Sequence, residues 1–425
     1  MAFLLSLFVA SASLAQEAPA AAELESRVRE MQRQIEILIT EIEALKNRQA
    51  DKPAAADIEQ FGLGAAASKV YRAQPGVSFG GYGEFLYQNV AGSNDAGARV
   101  STRDTADQLR AVLYTGYKFN DRILFNSETE FEHGSTGAGG EVSVEFAYLD
   151  FLARPDLGIR AGLFLVPMGF INEQHEPTAY LGSRRPLVER TIIPATWREM
   201  GAGMFGENGP VSWRAYLTTG LDAARFTSGG IRSGRGNGAQ SLAEDFALTG
   251  RLDYQPVVGT VLGVSAYSGN SGQRAVANGE EVKARVTMFD LHAESRLRGL
   301  QLRGLWTRAT LNDAAMVNAL NKLTGTNSVG ESFGGWYGEI GYDLASFRGF
   351  GERSITPFVR YEKLNPQRSV PTGFSLNRAL DQAITTMGLQ WKPISQTVIK
   401  ADYQNLDNEA GTGTNQWNVS LGYIF

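Results

Sequence analysis

Eight charged side chains that could act on a small solute lie in one proline-rich segment, Val166–Met200. Its charged residues are Arg184, Arg185, Arg190 and Arg198 with Glu173 and Glu176, and in addition Glu189 and Glu199. Opposed clusters of arginine and glutamate can line a narrow passage and orient a dipolar or anionic solute. The same side chains can also pair with one another on a solvated loop, where each pair contributes little. The sequence leaves both interpretations open, with the first six residues as candidate constriction residues.

The sequence predicts neither a metal site nor a lipase site. Glu173, His175 and Glu176 offer metal-ligand types, but their position in a polar stretch favours a solvated loop over a metal site. A barrel-embedded lipase would need a serine together with a histidine and an asparagine. His133 and His292 have no neighbouring serine motif of that kind. We therefore predict no metal, no catalytic residue and no enzymatic activity.

Composition excludes several classes of protein. The formal net charge of −5 does not suit a nucleic-acid binder, which needs a basic face. With three His and no Cys, the chain has few ligands for a soft metal, and we predict no cofactor. Beyond the first 15 residues no apolar run reaches the roughly 20 residues of a transmembrane helix. A helical membrane protein is therefore not expected.

The elements that must position the charged segment are strands, because the pattern from Val77 onward alternates with a period of two. The last nine residues show this best, since the apolar positions are Trp417, Val419, Leu421, Tyr423 and Phe425. Small or polar residues occupy most of the positions between them. An apolar face with aromatic residues at both ends, opposite a polar face, is typical of a transmembrane β-strand. The terminal Phe425 predicts an assembly signal that barrel-assembly machinery recognises.

Short and long connections alternate along residues 75–425, as they do in outer-membrane barrels. Short turns are expected near Asn120–Asp121 and Arg298–Gly299, and the longest connection is Val166–Met200. Counting them predicts an all-β transmembrane barrel of about 16 antiparallel strands. Val166–Met200 then follows the fifth strand as the third external loop.

The same alternation assigns side chains to the inner wall of the predicted barrel. The arginines expected to line the pore wall are Arg110, Arg160, Arg214, Arg251 and Arg360. The glutamates expected beside them are Glu84, Glu128, Glu130, Glu132 and Glu339. The wall is thus of mixed charge, and by itself it indicates no strong ion preference.

The N-terminal residues form three further predicted regions. Residues 1–15 are apolar and end in small residues, which predicts a signal peptide. Residues 23–48 predict a short α-helical coiled coil in the periplasm, and residues 49–74 a linker. The heptad seam consists of Leu24, Val28, Met31, Ile35, Leu38, Ile42 and Leu45. β-branched residues at a with leucine at d favour two strands.

Three stretches of the barrel region resemble a known family. Val77–Glu84, Glu141–Asp150 and Arg160–Phe170 are similar to porins of the phosphate-selective porin O and P family and its uncharacterised relatives. The resemblance implies a trimer of 16-stranded barrels, with the third external loop folded into the lumen as a constriction. The coiled coil alone leaves dimer or trimer open.

Together, these patterns predict an outer-membrane porin for passive diffusion of small hydrophilic solutes, including phosphate-like anions. Its expected partners are further copies of itself, outer-membrane lipid, the assembly machinery and the solutes, with no nucleic acid. The alternative is a non-conducting structural or adhesive barrel that the coiled coil links to the cell wall. Bilayer conductance distinguishes the two.

The heptad seam generates a test of oligomerisation. We expect a trimer that survives detergent at room temperature and dissociates on heating. Changing Ile35 and Ile42 to Lys places charges in the seam. This should weaken the oligomer on unheated gels without abolishing barrel folding. If the wild-type protein and the double variant both run as monomers, the seam has no role in oligomerisation.

Overall fold

The computed structural model describes residues 27, 29–34, 60–134, 137, 139–154, 156–347 and 353–425. The chain divides into two compact units, residues 1–53 and residues 54–425. In the first unit, residues 29–34 are helical and Met31 is exposed. The predicted signal peptide and the other seam positions lie outside the described residues: Leu24, Val28, Ile35, Leu38, Ile42 and Leu45. The coiled coil therefore stays a prediction.

The second unit is a closed antiparallel barrel of 16 strands, which confirms the predicted β-barrel and its strand number. Its strands are β1 (Gly76–Val90), β2 (Thr105–Lys118), β3 (Ile123–Glu132), β4 (Val142–Arg154), β5 (Leu157–Leu165), β6 (Arg198–Asn208), β7 (Val211–Thr219), β8 (Phe246–Tyr254), β9 (Thr260–Gly269), β12 (Val286–Leu297), β13 (Leu300–Leu311), β14 (Ser332–Tyr342), β15 (Ser354–Ser369), β16 (Gln382–Ile394), β17 (Thr397–Asn408) and β18 (Gln416–Ile424). A separate hairpin, β10 (Val276–Ala277) and β11 (Glu280–Glu281), lies between β9 and β12.

Helices in this unit are short and lie outside the strands. The α-helices are α1 (Lys69–Arg72), α2 (Leu187–Thr191) and α3 (Ala314–Leu320). The 3₁₀ turns are Ala223–Arg225, Arg232–Gly234, Gly325–Asn327, Leu344–Phe347 and Arg378–Leu380. Among the described residues, no helix is both long and apolar enough to cross a membrane.

Alternation along each strand separates an apolar exterior from a polar interior. On β1, Phe85 and Tyr87 are exposed, whereas the neighbouring Glu84 is buried. On β18, Trp417 and Val419 are exposed in the same way. Because successive side chains of a strand point to opposite faces, this pattern covers the barrel with the apolar belt that a bilayer requires.

The two ends of the barrel carry different connections. The terminal end holds Gly76 and Phe425 and the short turns, and the opposite loop end holds the long connections. The third long connection, residues 166–197, is called loop 3 below. Its place after β5 confirms the predicted order. The strand β6 begins at Arg198, so the last three residues predicted for the loop belong to the wall.

The interior is packed by chain segments as well as by wall side chains. One apolar cluster joins loop 3 to connections at the loop end, and includes Phe170, Trp197, Phe226 and Val317. A second cluster joins residues 63–71 to inward aromatic side chains of the wall. Residues 60–74 belong to the predicted linker, yet they lie against the barrel wall and differ there from a free tether.

The barrel closes between β1 and β18, where the C-terminal residue takes part. Phe425 donates its backbone N–H to the Gly81 carbonyl at 2.9 Å and accepts from the Gly81 N–H at 3.1 Å. A Cβ added at Gly81 would lie 2.8 Å from the Phe425 ring, so the ring covers this glycine. The last residue therefore completes the seam.

Removing Phe425 should reduce the amount of folded barrel. The deletion takes away two seam hydrogen bonds and the proposed recognition element for assembly. We expect less heat-modifiable protein in the outer membrane and more precursor in the periplasm. The matched control is Trp417→Ala, which removes an exposed aromatic residue at the other end of β18 and should have a smaller effect. Normal levels of folded protein after deletion would contradict this role.

Candidate functional site

Loop 3 lies inside the barrel because wall cations bind its backbone carbonyl groups. Lys392 donates to the Thr178 carbonyl at 3.0 Å, and Lys400 donates to that of Tyr180 at 2.9 Å. Further donor–carbonyl pairs of this kind are Arg251–Gly169, Arg303–Ala179, Arg360–Leu181 and Arg360–Arg184. These donors come from β8, β13, β15, β16 and β17, so the wall holds the loop from several sides.

Wall carboxylates bind the N–H groups of the same loop. Asp402 accepts from Ser183 N–H at 2.6 Å, Asp290 accepts from Gly169 N–H at 3.1 Å, and Glu362 accepts from Val188 N–H at 3.1 Å. All three carboxylates are buried. Hydrogen bonds to charged groups are stronger than neutral ones, so the inner wall fixes the loop backbone on both its donor and acceptor sides.

The five predicted wall arginines lie in the interior, and each has a carboxylate partner. The pairs are Arg110–Glu84 at 2.9 Å, Arg160–Asp150 at 2.9 Å, Arg214–Asp253 at 3.0 Å, Arg251–Asp253 at 2.7 Å and Arg360–Glu362 at 3.0 Å. Their charges are therefore neutralised locally. The structure gives them a structural part in the wall, with little net charge left to act on an ion.

Three of the predicted constriction residues also have partners away from any common site. Arg198, on β6, pairs with Glu145 at 2.7 Å. Glu173 pairs with Arg214 at 3.2 Å. The Glu176 carboxylate accepts from two backbone N–H groups of residues 66 and 67. The structure thus does not bring these three side chains together with the other candidates.

Arg184, Arg185 and Arg190 line one pocket of about 240 Å³ toward the loop end. The other lining residues are Gln88, Gln404, Gln416, Leu187, Ile384 and Leu406. Within the described part of the chain, no acidic side chain lines this pocket. A single water needs only about 10–15 Å³, so the pocket has room for a small anion. We call it the arginine pocket.

The arginine pocket is positively charged because its arginines have few acceptors. Arg184 donates to the Gln88 side chain at 2.9 Å, and Arg185 donates to the His175 carbonyl at 3.1 Å. Arg190 pairs with no carboxylate among the described residues. Burial and repulsion from Arg184 and Arg232 lower the pKa of the Arg190 guanidinium to about 9. It stays charged at neutral pH, and an anion beside it would relieve the repulsion.

Sequence reasoning missed the glutamines of this pocket. Gln88, Gln416 and Gln404 form a hydrogen-bonded row across β1, β18 and β17. Each occupies an inward position near the loop end of its strand, so the alternation that placed the wall arginines could have found them. Amide side chains supply both donors and acceptors, which lets the row bind an arginine and a solute oxygen.

One buried group in the described chain has metal-ligand types: Glu128, Glu145 and His175, whose donor atoms lie within 4.8 Å of one another. His175 already contacts Glu128 at 3.0 Å, and Glu145 is paired with Arg198. A histidine and an arginine thus already face the two carboxylates. These contacts link loop 3, through His175, to Glu128 on β3 of the wall.

The paired wall arginines generate a stability prediction with an internal control. Arg160→Ala leaves the buried Asp150 carboxylate without its charged partner, which should cost about 3–5 kcal/mol of folding free energy. The control is Arg154→Ala at the end of β4, which removes an arginine from its exposed pair with Asp156. Exposed pairs contribute only about 0–1 kcal/mol. The temperature of the heat-modifiable gel shift measures both. Equal shifts for the two variants would contradict the structural part assigned to Arg160.

No family model matches the chain. An uncharacterized protein of Aquifex aeolicus (strain VF5) is 33% identical over 377 residues, which are 86% of this chain and 83% of the relative. The phosphate-selective porin resemblance remains a prediction.

Solved structures share the fold at low identity. The outer membrane channel DcaP of Acinetobacter baumannii aligns with a TM-score of 0.52 at 13% identity, covering 82% of this chain and 97% of that one. A loop L8 deletion mutant of OmpT, an outer membrane protein of Vibrio cholerae, aligns with a TM-score of 0.51 at 11% identity, covering 82% and 99%. These likenesses concern the fold. By its sequence, the chain belongs to the same family as the Aquifex aeolicus protein.

Proposed function

We propose that this protein is an outer-membrane channel through which small hydrophilic anions diffuse passively. The observation that carries the proposal is the arginine pocket, where Arg184, Arg185 and Arg190 face a cavity inside the barrel and no described residue of the lining is a carboxylate. Fixed charges at such a place act on an ion over a few ångströms, with low-dielectric protein around them. Loop 3 is the constriction element.

The outer-membrane location is part of the proposal. It rests on the apolar exterior of the barrel, on the terminal Phe425 and on the predicted signal peptide. Solved structures with this fold include outer-membrane proteins, among them the outer membrane channel DcaP and a trimer form of OmpT. In this account the protein is a homo-oligomer, assembled by the barrel machinery, with its coiled coil in the periplasm.

The chemistry of the arginine pocket favours oxyanions among the possible solutes. Guanidinium groups match phosphate and carboxylate oxygens with two parallel hydrogen bonds, which a spherical ion cannot accept. The glutamine row offers further donors beside them. We therefore propose phosphate-like and carboxylate-bearing solutes as preferred over chloride.

A second candidate function is a non-conducting structural barrel. The observation that favours it is the filling of the lumen, since loop 3 and residues 63–71 both belong to buried apolar clusters inside the wall. Single-channel recording in planar bilayers separates the two candidates. Ion-selective current steps support the channel, and their absence in folded protein supports the structural barrel.

Replacing Arg184 and Arg185 with Ala should shift selectivity toward cations. The change removes two of the three pocket charges at the least screened point of the pathway, where each could alter the barrier by about 1 kcal/mol or more. The zero-current potential in a salt gradient measures this shift. It should shrink as salt is raised, because screening shortens the reach of the charges.

The matched control is Arg99→Ala on the first long connection. Arg99 is exposed, and its charge is screened within roughly 8–10 Å at physiological salt, so this variant should keep the wild-type potential. An unchanged potential for the double variant at low salt would assign selectivity to the barrel wall instead.

A further inference from the structure

Residues 60–73, called the inner segment below, cross the terminal half of the lumen. They contact seven consecutive strands of the wall, from β1 to β7. The contacts are Lys69–Phe79 O, Lys118–Ala73 O, Asn126–Ala67 O, Tyr71–Asp150, Arg160–Tyr71, Phe61 N–Glu207 and Gly62 against Arg214. A segment that reaches seven of 16 strands spans a large part of the barrel circumference.

The contacts of the inner segment have the character of a protein core. Leu63 and Val70 are each 1% exposed, and Phe61 packs edge-on against Phe205 with ring centroids 5.0 Å apart. The Tyr71 hydroxyl donates to Asp150 at 2.6 Å and accepts from Arg160 at 2.9 Å. Burial of such apolar side chains stabilises the docked segment, and a free tether would not gain this stabilisation.

Glycines make room for the inner segment at two positions of close approach. A Cβ added at Gly116 on β2 would lie 2.8 Å from the Val70 Cβ. A Cβ added at Gly64 would lie 2.6 Å from the Glu176 carboxylate. A larger residue at either position would force Val70 or the Glu176 carboxylate to shift.

Glu176 joins the inner segment to loop 3. Its Oε1 accepts from the backbone N–H groups of Ala66 and Ala67, both at 3.0 Å, and its side chain is buried. If this buried carboxylate were removed, two buried backbone N–H groups would lose their acceptor, which costs free energy. The first half of loop 3 is therefore tied to the inner segment as well as to the wall.

We propose that the inner segment is a built-in floor of the lumen that holds loop 3 in place and narrows the exit at the terminal end. Glu176 is the positioning residue that couples the two. The narrowing of the exit rests on the proposed channel function, whereas the holding of loop 3 does not. The proposal predicts that loop 3 becomes mobile when the inner segment is removed.

The test begins with deletion of residues 60–73 in the full chain and with Glu176→Ala. Trypsin cleavage after Arg184 or Arg190 reports release of loop 3. We expect several-fold faster cleavage in the folded deletion variant and a smaller increase for Glu176→Ala. Glu141→Ala, on an exposed loop-end position, is the matched control and should remain resistant. Wild-type resistance in a folded deletion variant and in Glu176→Ala would overturn the proposal.

A disulfide tests the placement without deleting anything. The chain has no cysteine, so Val70→Cys with Gly116→Cys introduces a single pair. Disulfides need Cβ atoms about 3.5–4.5 Å apart, which a sub-ångström adjustment reaches here. We expect the pair to oxidise in the membrane and to keep trypsin resistance when combined with Glu176→Ala. Failure of the pair to cross-link in folded protein would overturn the proposal.

Conductance separates this proposal from the proposed function. Larger single-channel current in the deletion variant supports both. If neither protein carries current but trypsin cleaves loop 3 rapidly in the deletion variant, the channel proposal is refuted. The proposal that the inner segment holds loop 3 then stands. If the deletion variant keeps both the wild-type current and the wild-type resistance to trypsin, the floor proposal is refuted and the channel proposal stands.

Discussion

Ionisable side chains line the inside of this barrel, and each of them loses hydration when the lumen is filled. Removing water from a charge costs several kcal/mol unless a partner replaces it. Here much of the replacement comes from the backbone of loop 3. Lys400 and Arg360 bind its carbonyl groups, while Asp402 binds one of its N–H groups. The position of the loop follows from this mutual satisfaction of wall charges and loop peptide groups.

That constraint sorts the arginines into two groups. Arginines of the wall, such as Arg160 and Arg360, are fully paired with carboxylates, so their fields cancel within a few ångströms. Arg184 and Arg190 have no such partner among the described residues, and they line the arginine pocket. In the proposed channel only the second group acts on a passing ion. The mixed charge of the wall is thus compatible with an anion preference at the constriction.

Sequence periodicity predicted the barrel well because each strand is a local signal. The alternation of β18, the order of the connections and the place of loop 3 after β5 all follow from short stretches of sequence. Which arginine pairs with which carboxylate depends on strand register and on loop 3, and neither is visible locally. Arg198 and Arg184 look alike in the sequence, yet one lies on β6 beside Glu145 and the other lines the pocket.

The inner segment was predicted as a linker for a similar reason. Its Ala-rich composition carries no periodic pattern, and its partners are distant in the sequence: Glu207 lies 146 residues from Phe61, and Glu176 lies 110 residues from Ala66. Small residues that suit a flexible tether also suit close packing against a wall. The packed arrangement is recognised only from its contacts with the wall, such as Gly116 against Val70 and Asn126 on the Ala67 carbonyl.

The most direct measurement is the current of single wild-type channels in planar bilayers, with chloride replaced by phosphate at constant potassium. We predict anion-preferring current steps, and we expect phosphate current to saturate at lower concentration than chloride current because phosphate binds in the arginine pocket. Cation-preferring steps, or folded protein that carries no current with either anion, would contradict an anion channel controlled by the arginine pocket.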